Sequence, residues 1–358
     1  MAPGLLMFRL TFTFVLVLVI AGTVLYSAAP IDPAVWSPPR NPGLSGQFAA
    51  NRKLGDAQRI VTAIGNGPEA VACGSEGERY TGFDDGRIVR FEAGGKLPTD
   101  YANTGGRPLG MKVAADGRLI VADAVRGLIA ISDGGKVEVL AADHDGTPMR
   151  FVDDLDIDGS GRIWFSDASQ RYGWGETMRD FLDGTPTGRL LSYDPESGST
   201  EVHIDGLFFA NGVAVGPGDA YVLINETGTG LIHRLWLKGE QAGERDLFHR
   251  GLPGTPDNIT FNGSDRFWVA MPSLRASLDF MADKPWLRRL VSFVPDHVIH
   301  ANTDSYSFVV GLDLEGKVVA NLQDSERRFV DTTSAVECDG GLYIGSLNEP
   351  SLAFYSLQ

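Results

Sequence analysis

The sequence predicts an all-β fold, a six-bladed β-propeller with an N-terminal transmembrane helix, and three observations carry that expectation. A short pattern recurs six times beyond residue 60: an apolar alternation, a Gly/Asp turn, then a run rich in aromatic and β-branched residues. The repeats are roughly forty residues or longer, room for about four strands apiece, and such a unit buries its faces only by packing on neighbours around an axis. Ahead of them, LTFTFVLVLVIAGTVLYSAA at 10–29 carries no charge and is long enough to cross a bilayer as a helix.

The chain has 358 residues, 43% of them hydrophobic, which suits a packed core and argues against disorder away from the ends. A formal charge of −15 disfavours nucleic acid and anionic lipid as partners of the folded domain and favours cations and neutral small molecules. No protein partner is inferable. Two cysteines, Cys73 and Cys338, make neither a disulfide framework nor a zinc site; one bridge or two buried thiols both fit.

Taken in order, residues 1–29 read as a signal anchor with the N-terminus cytoplasmic and the remainder exported. A cleaved signal peptide and a secreted product is the alternative, because small residues lie near 27–29. Residues 30–54, beginning PIDPAVWSPPRNPGLSG, read as an extended Pro-rich linker that holds a domain off the membrane. Residues 55–358 form the propeller.

Its six copies begin at Pro68, Pro108, Val152, Ala210, Pro256 and Thr332, each a β-hairpin in outline. Aligning them on their turns places Glu69, Leu109, Asp153, Asn211, Asp257 and Thr333 at one position, just before the innermost strand's alternation. In a propeller those positions converge on the axis. Carboxylates gathered there repel and raise one another's pKa, and a divalent cation resolves the conflict. Oxygen donors without His or Cys select a hard ion, and calcium tolerates irregular coordination better than magnesium. The expected ligands of one Ca²⁺ in the central channel are Glu69, Asp153, Asn211 and Asp257; polar residues lining a watery channel are the bland alternative.

Successive aligned positions are 40, 44, 58, 46 and 76 residues apart. The two long intervals hold insertions near 169–188 and 273–305, expected to be partly helical and to cap one face of the ring. Tyr172, Trp174 and Trp286 in them suit an apolar acyl or aryl group, or plain packing, and the second insertion also suits a membrane-leaning amphipathic surface.

Other motifs carry less. DLDIDG at 154–159 opens like an EF-hand loop, but the twelfth position is Phe165 and no helices flank it. Asp156 and Asp158 then read as solvated strand and turn residues, and Asp154 as an orienting neighbour or a structural hydrogen-bonding group. His144, His203, His233, His249, His297 and His300 show no metal or triad spacing, although the last two are within reach of a pocket. No G-x-S-x-G occurs. Glycosylation sequons start at Asn225, Asn258 and Asn262.

GRPLGMKVAADGRLIVADAVRGL (106–128), FVDDLDIDGSGRIWFSDASQRY (151–172), TGRLLSYDPESG (187–198), GLFFANGVAV (206–215), LPGTPDNI (252–259) and GGLYIGSL (340–347) together resemble the strictosidine synthase-like family. That family includes adipocyte plasma membrane-associated proteins and belongs to the gluconolactonase, regucalcin and paraoxonase superfamily of six-bladed propellers. The resemblance spans roughly residues 55–358, and the N-terminal apolar run resembles the membrane-associated branch. It implies calcium ligands at Glu69, Asn211 and Asp257, with Asp153 standing where asparagine is usual. It also implies that the synthase's glutamate is replaced by Thr333, which has no carboxylate to act as base.

The expected function is therefore calcium-dependent hydrolysis of small esters or lactones, of arylesterase, lactonase or gluconolactonase-like type. The ion would polarise the carbonyl, and Asp257 or Asp153 would act as general base. A non-catalytic exported scaffold with structural calcium is the main alternative, and synthase-type condensation a third.

Overall fold

The computed structural model describes residues 26–300 and 305–357, together with 12, 13 and 22. The apolar run at 10–29 falls mostly outside the described residues; among those, no helix is long and apolar enough to cross a membrane.

Six four-stranded antiparallel sheets make the blades. Their innermost strands are β1 (Val71–Cys73), β2 (Pro108–Val113), β3 (Val152–Ile157), β4 (Ala210–Val215), β5 (Ile259–Phe261) and β6 (Thr332–Cys338). Each pairs with the following strand across the Gly/Asp turn legible in its repeat, as Leu155 with Phe165 or Val213 with Ile224. The core lies between sheets. Alternating apolar residues of one blade interleave with those of the next, as where Tyr221 and Leu223 of the fourth blade meet Phe267, Val269 and Phe308 of the fifth.

One feature of the ring is absent from the repeat pattern. Gln58–Ile60 pairs antiparallel with Leu352–Ser356, so the sixth blade takes its outermost strand from the N-terminal side of the chain. A disulfide between Cys73, at the end of β1, and Cys338, at the end of β6, joins the same two blades on the inside.

Residues 30–52 do not stand away from the propeller as a spacer. They are strapped across it: Ala34 N–H donates to the Asp183 carbonyl (2.8 Å), Asn41 Nδ2 to Asp279 (2.8 Å) and Gln323 Nε2 to the Phe48 carbonyl (3.0 Å). Phe48 is buried in the core and the Trp36 ring meets Phe208 edge-on with centroids 5.0 Å apart. Proline supplies the extended backbone, whose polar groups then bond the domain instead of water.

The insertions supply four short helices, α1 (Thr177–Asp183), α2 (Ala276–Met281), α3 (Pro285–Val291) and α4 (Asp296–His300), forming a cap. Two buried arginines tie cap to strap. Arg288 donates to the carbonyls of Leu182, Asp183, Ala282 and Ala34. Arg275 donates to Leu252, Pro39 and the Asp279 carboxylate.

Candidate functional site

The backbone aims the aligned residues before any side-chain chemistry begins. In four blades the ladder between the first two strands shifts register at the aligned position: between Pro108 and Met111, Val152 and Leu155, Ala210 and Val213, and Thr332 and Ala335. Such a bulge adds a residue to one strand and re-aims its side chain. Here it turns Leu109, Asp153 and Asn211 toward the channel, where they line one cavity with Glu69 and Asp257.

Neighbouring blades fix the remaining members. The Glu69 carbonyl accepts hydrogen bonds from the hydroxyls of Thr333 (2.6 Å) and Ser334 (2.8 Å). Residue 345 must be glycine, because a Cβ there would collide with that carbonyl. Asp257 N–H donates to the Ala270 carbonyl (2.9 Å), and its own carbonyl accepts Gly212 N–H (3.2 Å) and Asn225 Nδ2.

Carboxylate oxygens of Glu69, Asp153 and Asp257 lie within 4.8 Å of one another, and all three residues are buried. Burial pushes each well above the usual carboxylate range. Asp257 and then Glu69 push Asp153 further, Asp257 pushes Glu69, and Arg107 pulls both back; Asn211 opposes the rise at Asp257. Glu69 Oε2 and Asn211 Oδ1 are buried without a hydrogen-bond partner. Buried acceptors are rarely left so. Hard oxygen donors, three of them acidic and two holding unmatched acceptors, fit a divalent cation.

Thr333, the sixth aligned residue, is fully buried and spends its hydroxyl on Glu69. Asp154 and Asp156 have a structural task. Their carboxylates accept Val213 N–H and Val215 N–H, both at 2.9 Å, sewing β3 to β4. Asp156 is therefore buried and paired with Lys112 (2.8 Å), not solvated as its strand position suggested. Asp158 is a turn residue that accepts from Ser160 and Trp164.

Arg107 was not legible as a site residue. It is buried beside the carboxylates, donates from Nη1 to the Gly67 carbonyl (2.9 Å) and stacks 5.0 Å from the Trp174 ring. The only sequence hint is its place two residues before Leu109, the aligned position.

Above the carboxylates the cavity widens to about 660 Å³. Its walls are apolar: Phe151 and Phe209 from the ring, Met178 and Phe181 from α1, Leu278 from α2 and Val291 from α3. Trp174 joins them. Tyr172 instead donates its hydroxyl to Asp183 (3.1 Å), and Trp286 faces outward. His297 lines the cavity, while the side chain of His300 is outside the described residues. The other histidines bond to Thr200, Ser192, Glu226 and the Gly316 carbonyl in outer parts of the blades. Asn225 and Asn258 are buried, and Asn262, half-buried, donates its amide to Asp265 and Glu337.

Comparison with known proteins gives a consistent picture. The family model described as strictosidine synthase matches residues 153–240, and that described as strictosidine synthase-like, N-terminal, matches residues 46–91. An adipocyte plasma membrane-associated protein of Rattus norvegicus is 34% identical, over 94% of this chain and 96% of its own. Strictosidine synthase-like protein 4 of Arabidopsis thaliana is 33% identical, over 90% and 86%. A gluconolactonase from Xanthomonas campestris shares the fold with TM-score 0.60 at 17% identity, covering 91% of this chain and 96% of that one. A calcium-binding protein, regucalcin, from Agrobacterium tumefaciens does so with TM-score 0.57 at 14% identity, covering 83% and 92%.

Proposed function

This chain belongs to the strictosidine synthase-like family, and from that premise we propose that it is a membrane-anchored, calcium-dependent hydrolase of small esters or lactones. The observation carrying the reading is the triad of buried carboxylates, Glu69, Asp153 and Asp257, at the floor of a large apolar cavity. Glu69, Asp153, Asn211 and Asp257 would hold the ion. A bound calcium would supply Lewis-acid stabilisation of a developing oxyanion and a lowered pKa for water.

The chain's own residues do the rest. Phe151, Phe181, Phe209 and Leu278 take the apolar part of the substrate and exclude bulk water. Asp257 or Asp153 accepts the proton of the attacking water, a role open to a carboxylate that lies beside the ion and can take a proton without leaving the site. Arg107 offsets part of the acidic charge, and Trp174 holds its guanidinium plane.

Condensation of the synthase type gains no support at Thr333, whose hydroxyl is committed to the Glu69 carbonyl and which offers no base. The Cys73–Cys338 bridge suits an oxidising compartment and hence an exported propeller. Assays on aryl esters and lactones with calcium and with chelator test the proposal. Turnover should vanish on chelation and fall at least about 100-fold in Asp257→Asn, the usual scale for losing a general base. A chelator that lowers only the melting temperature, with no substrate turned over, favours a structural calcium in a binding scaffold.

A further inference from the structure

The cap has two apolar faces, and only one meets the cavity. Leu278, Met281 and Val291 point in. On the other side of the same segment, Phe280 is 62% exposed, Trp286 54%, Leu290 48% and Phe293 40%. Trp286 and Leu290 are four apart on one face of α3, and Phe293 follows just past the helix's C-cap, Ser292. Elsewhere among the described residues, exposed large apolar side chains such as Leu97, Val125, Val139 and Val319 are scattered over outer strands and turns. Scattered residues of that kind need no explanation, whereas a clustered apolar stripe does.

The strap indicates what covers it. Arg289, between Trp286 and Phe293, forms an ion pair with Asp32 (2.5 Å), and its guanidinium lies 4.9 Å from the centroid of the Tyr26 ring. Asp32 N–H also donates to Asp183 at the end of α1 (3.0 Å). The uncharged run ends at residue 29 and the ion pair begins at residue 32. Three residues reach at most about 10 Å, while one headgroup layer is roughly 5–8 Å deep. A span at 10–29 would therefore hold Asp32, and through its ion pair with Arg289 the helix α3, within a few ångströms of the headgroups. Lys284, whose ammonium sits 4.2 Å over the Phe280 ring, and Arg289 lie beside the stripe with their charges balanced by Asp283 and Asp32, which suits a zwitterionic lipid surface.

We propose that the outer face of the cap, formed by Phe280, Trp286, Leu290 and Phe293, docks into the headgroup layer of the membrane that holds the chain, so that the cavity wall lies against lipid. This rests on residues 10–29 being the membrane anchor and is independent of hydrolysis.

The test uses the full chain in phosphatidylcholine vesicles. Both native cysteines are paired, so an introduced thiol alone takes an environment-sensitive fluorophore. Leu290→Cys and Phe293→Cys report on the stripe, and Leu97→Cys and Val319→Cys on remote exposed strands. Stripe labels should be quenched severalfold more by nitroxide-bearing lipid than remote ones, and severalfold less by aqueous iodide. Phe280→Cys replaces either stripe variant should its melting temperature fall. Equal iodide quenching at all sites, in chains that float with the vesicles, overturns the docking while leaving the anchor standing. Chains that do not float overturn both. Protection from iodide that grows with protein density and ignores nitroxide lipid overturns it in favour of a second copy of the chain.

Discussion

Asp153 owes its position to a bulge in β3 and its charge problem to residues from other blades. Residue numbers alone located it, because a repeat in register implies convergence at an axis whatever the detailed geometry. The same logic could not find Arg107, since nothing in a sequence says that one arginine among 31 lysines and arginines folds inward. Asp156 is buried where its strand position suggested solvent for a related reason: strand alternation separates two faces, but both faces of an innermost propeller strand are covered by other strands. The raised carboxylates have a consequence in solution. Below pH near 4 folded and unfolded chains both hold these protons; above it the unfolded chain releases them while the folded cluster retains them. Without calcium, stability contributed at the cluster therefore falls as pH rises from about 4 through the raised values of Glu69, Asp153 and Asp257. The proposed calcium would displace the protons, so its effect on melting temperature should be slight at pH 5 and grow toward pH 8. Asp257→Asn should flatten that dependence. Thermal melts with calcium and with chelator at both pH values check it, and an equal calcium increment at the two would rule out proton–calcium exchange here.

At the scale of elements, the cap was legible as two insertions with helical spacing, because unequal intervals in a repeat must go somewhere. Its attachment was not. Lys and Arg in an apolar helical stretch suggest a wet or lipid-facing surface, yet Arg288 is fully buried with donors aimed at four carbonyls on α1, the α2–α3 link and the strap. Burial lowers its pKa to about 10, still high enough to keep the charge at neutral pH. Two of those carbonyls, Leu182 and Asp183, lie in the last turn of α1, where a cation also meets the negative end of the helix. Arg288→Met keeps the apolar stem but strands these acceptors, at roughly 1–3 kcal/mol for each one left unsatisfied. The expected result is a cap cut readily by protease within 273–300 and a severalfold higher KM for apolar esters, with the propeller's melting temperature nearly unchanged. An unaltered cleavage pattern would show that the strap and cap are held by packing instead.

For the whole molecule, six blades were readable from six repeats, and six four-stranded sheets answer them. The closure was unreadable. Gln58–Ile60 is three residues long, carries no alternation, and finds its partner through a sheet edge left open by the sixth blade. The disulfide adds a covalent tie across 265 residues. Replacing both cysteines by serine should cost about 2–4 kcal/mol, measured by chemical unfolding, and leave a folded ring, because the strand pairing persists. Complete loss of cooperative unfolding in that variant would mean the pairing cannot hold the ring alone.

Strand pairing of this kind also sets a clock on synthesis. Gln58–Ile60 leaves the ribosome long before Leu352–Ser356 exists, and at translation speeds of about 5–20 residues per second the interval is tens of seconds. Throughout it the nascent chain carries blades with an unpaired edge at each end, the kind of surface that holdase chaperones cover. The arrival of Leu352–Ser356 then covers both edges at once.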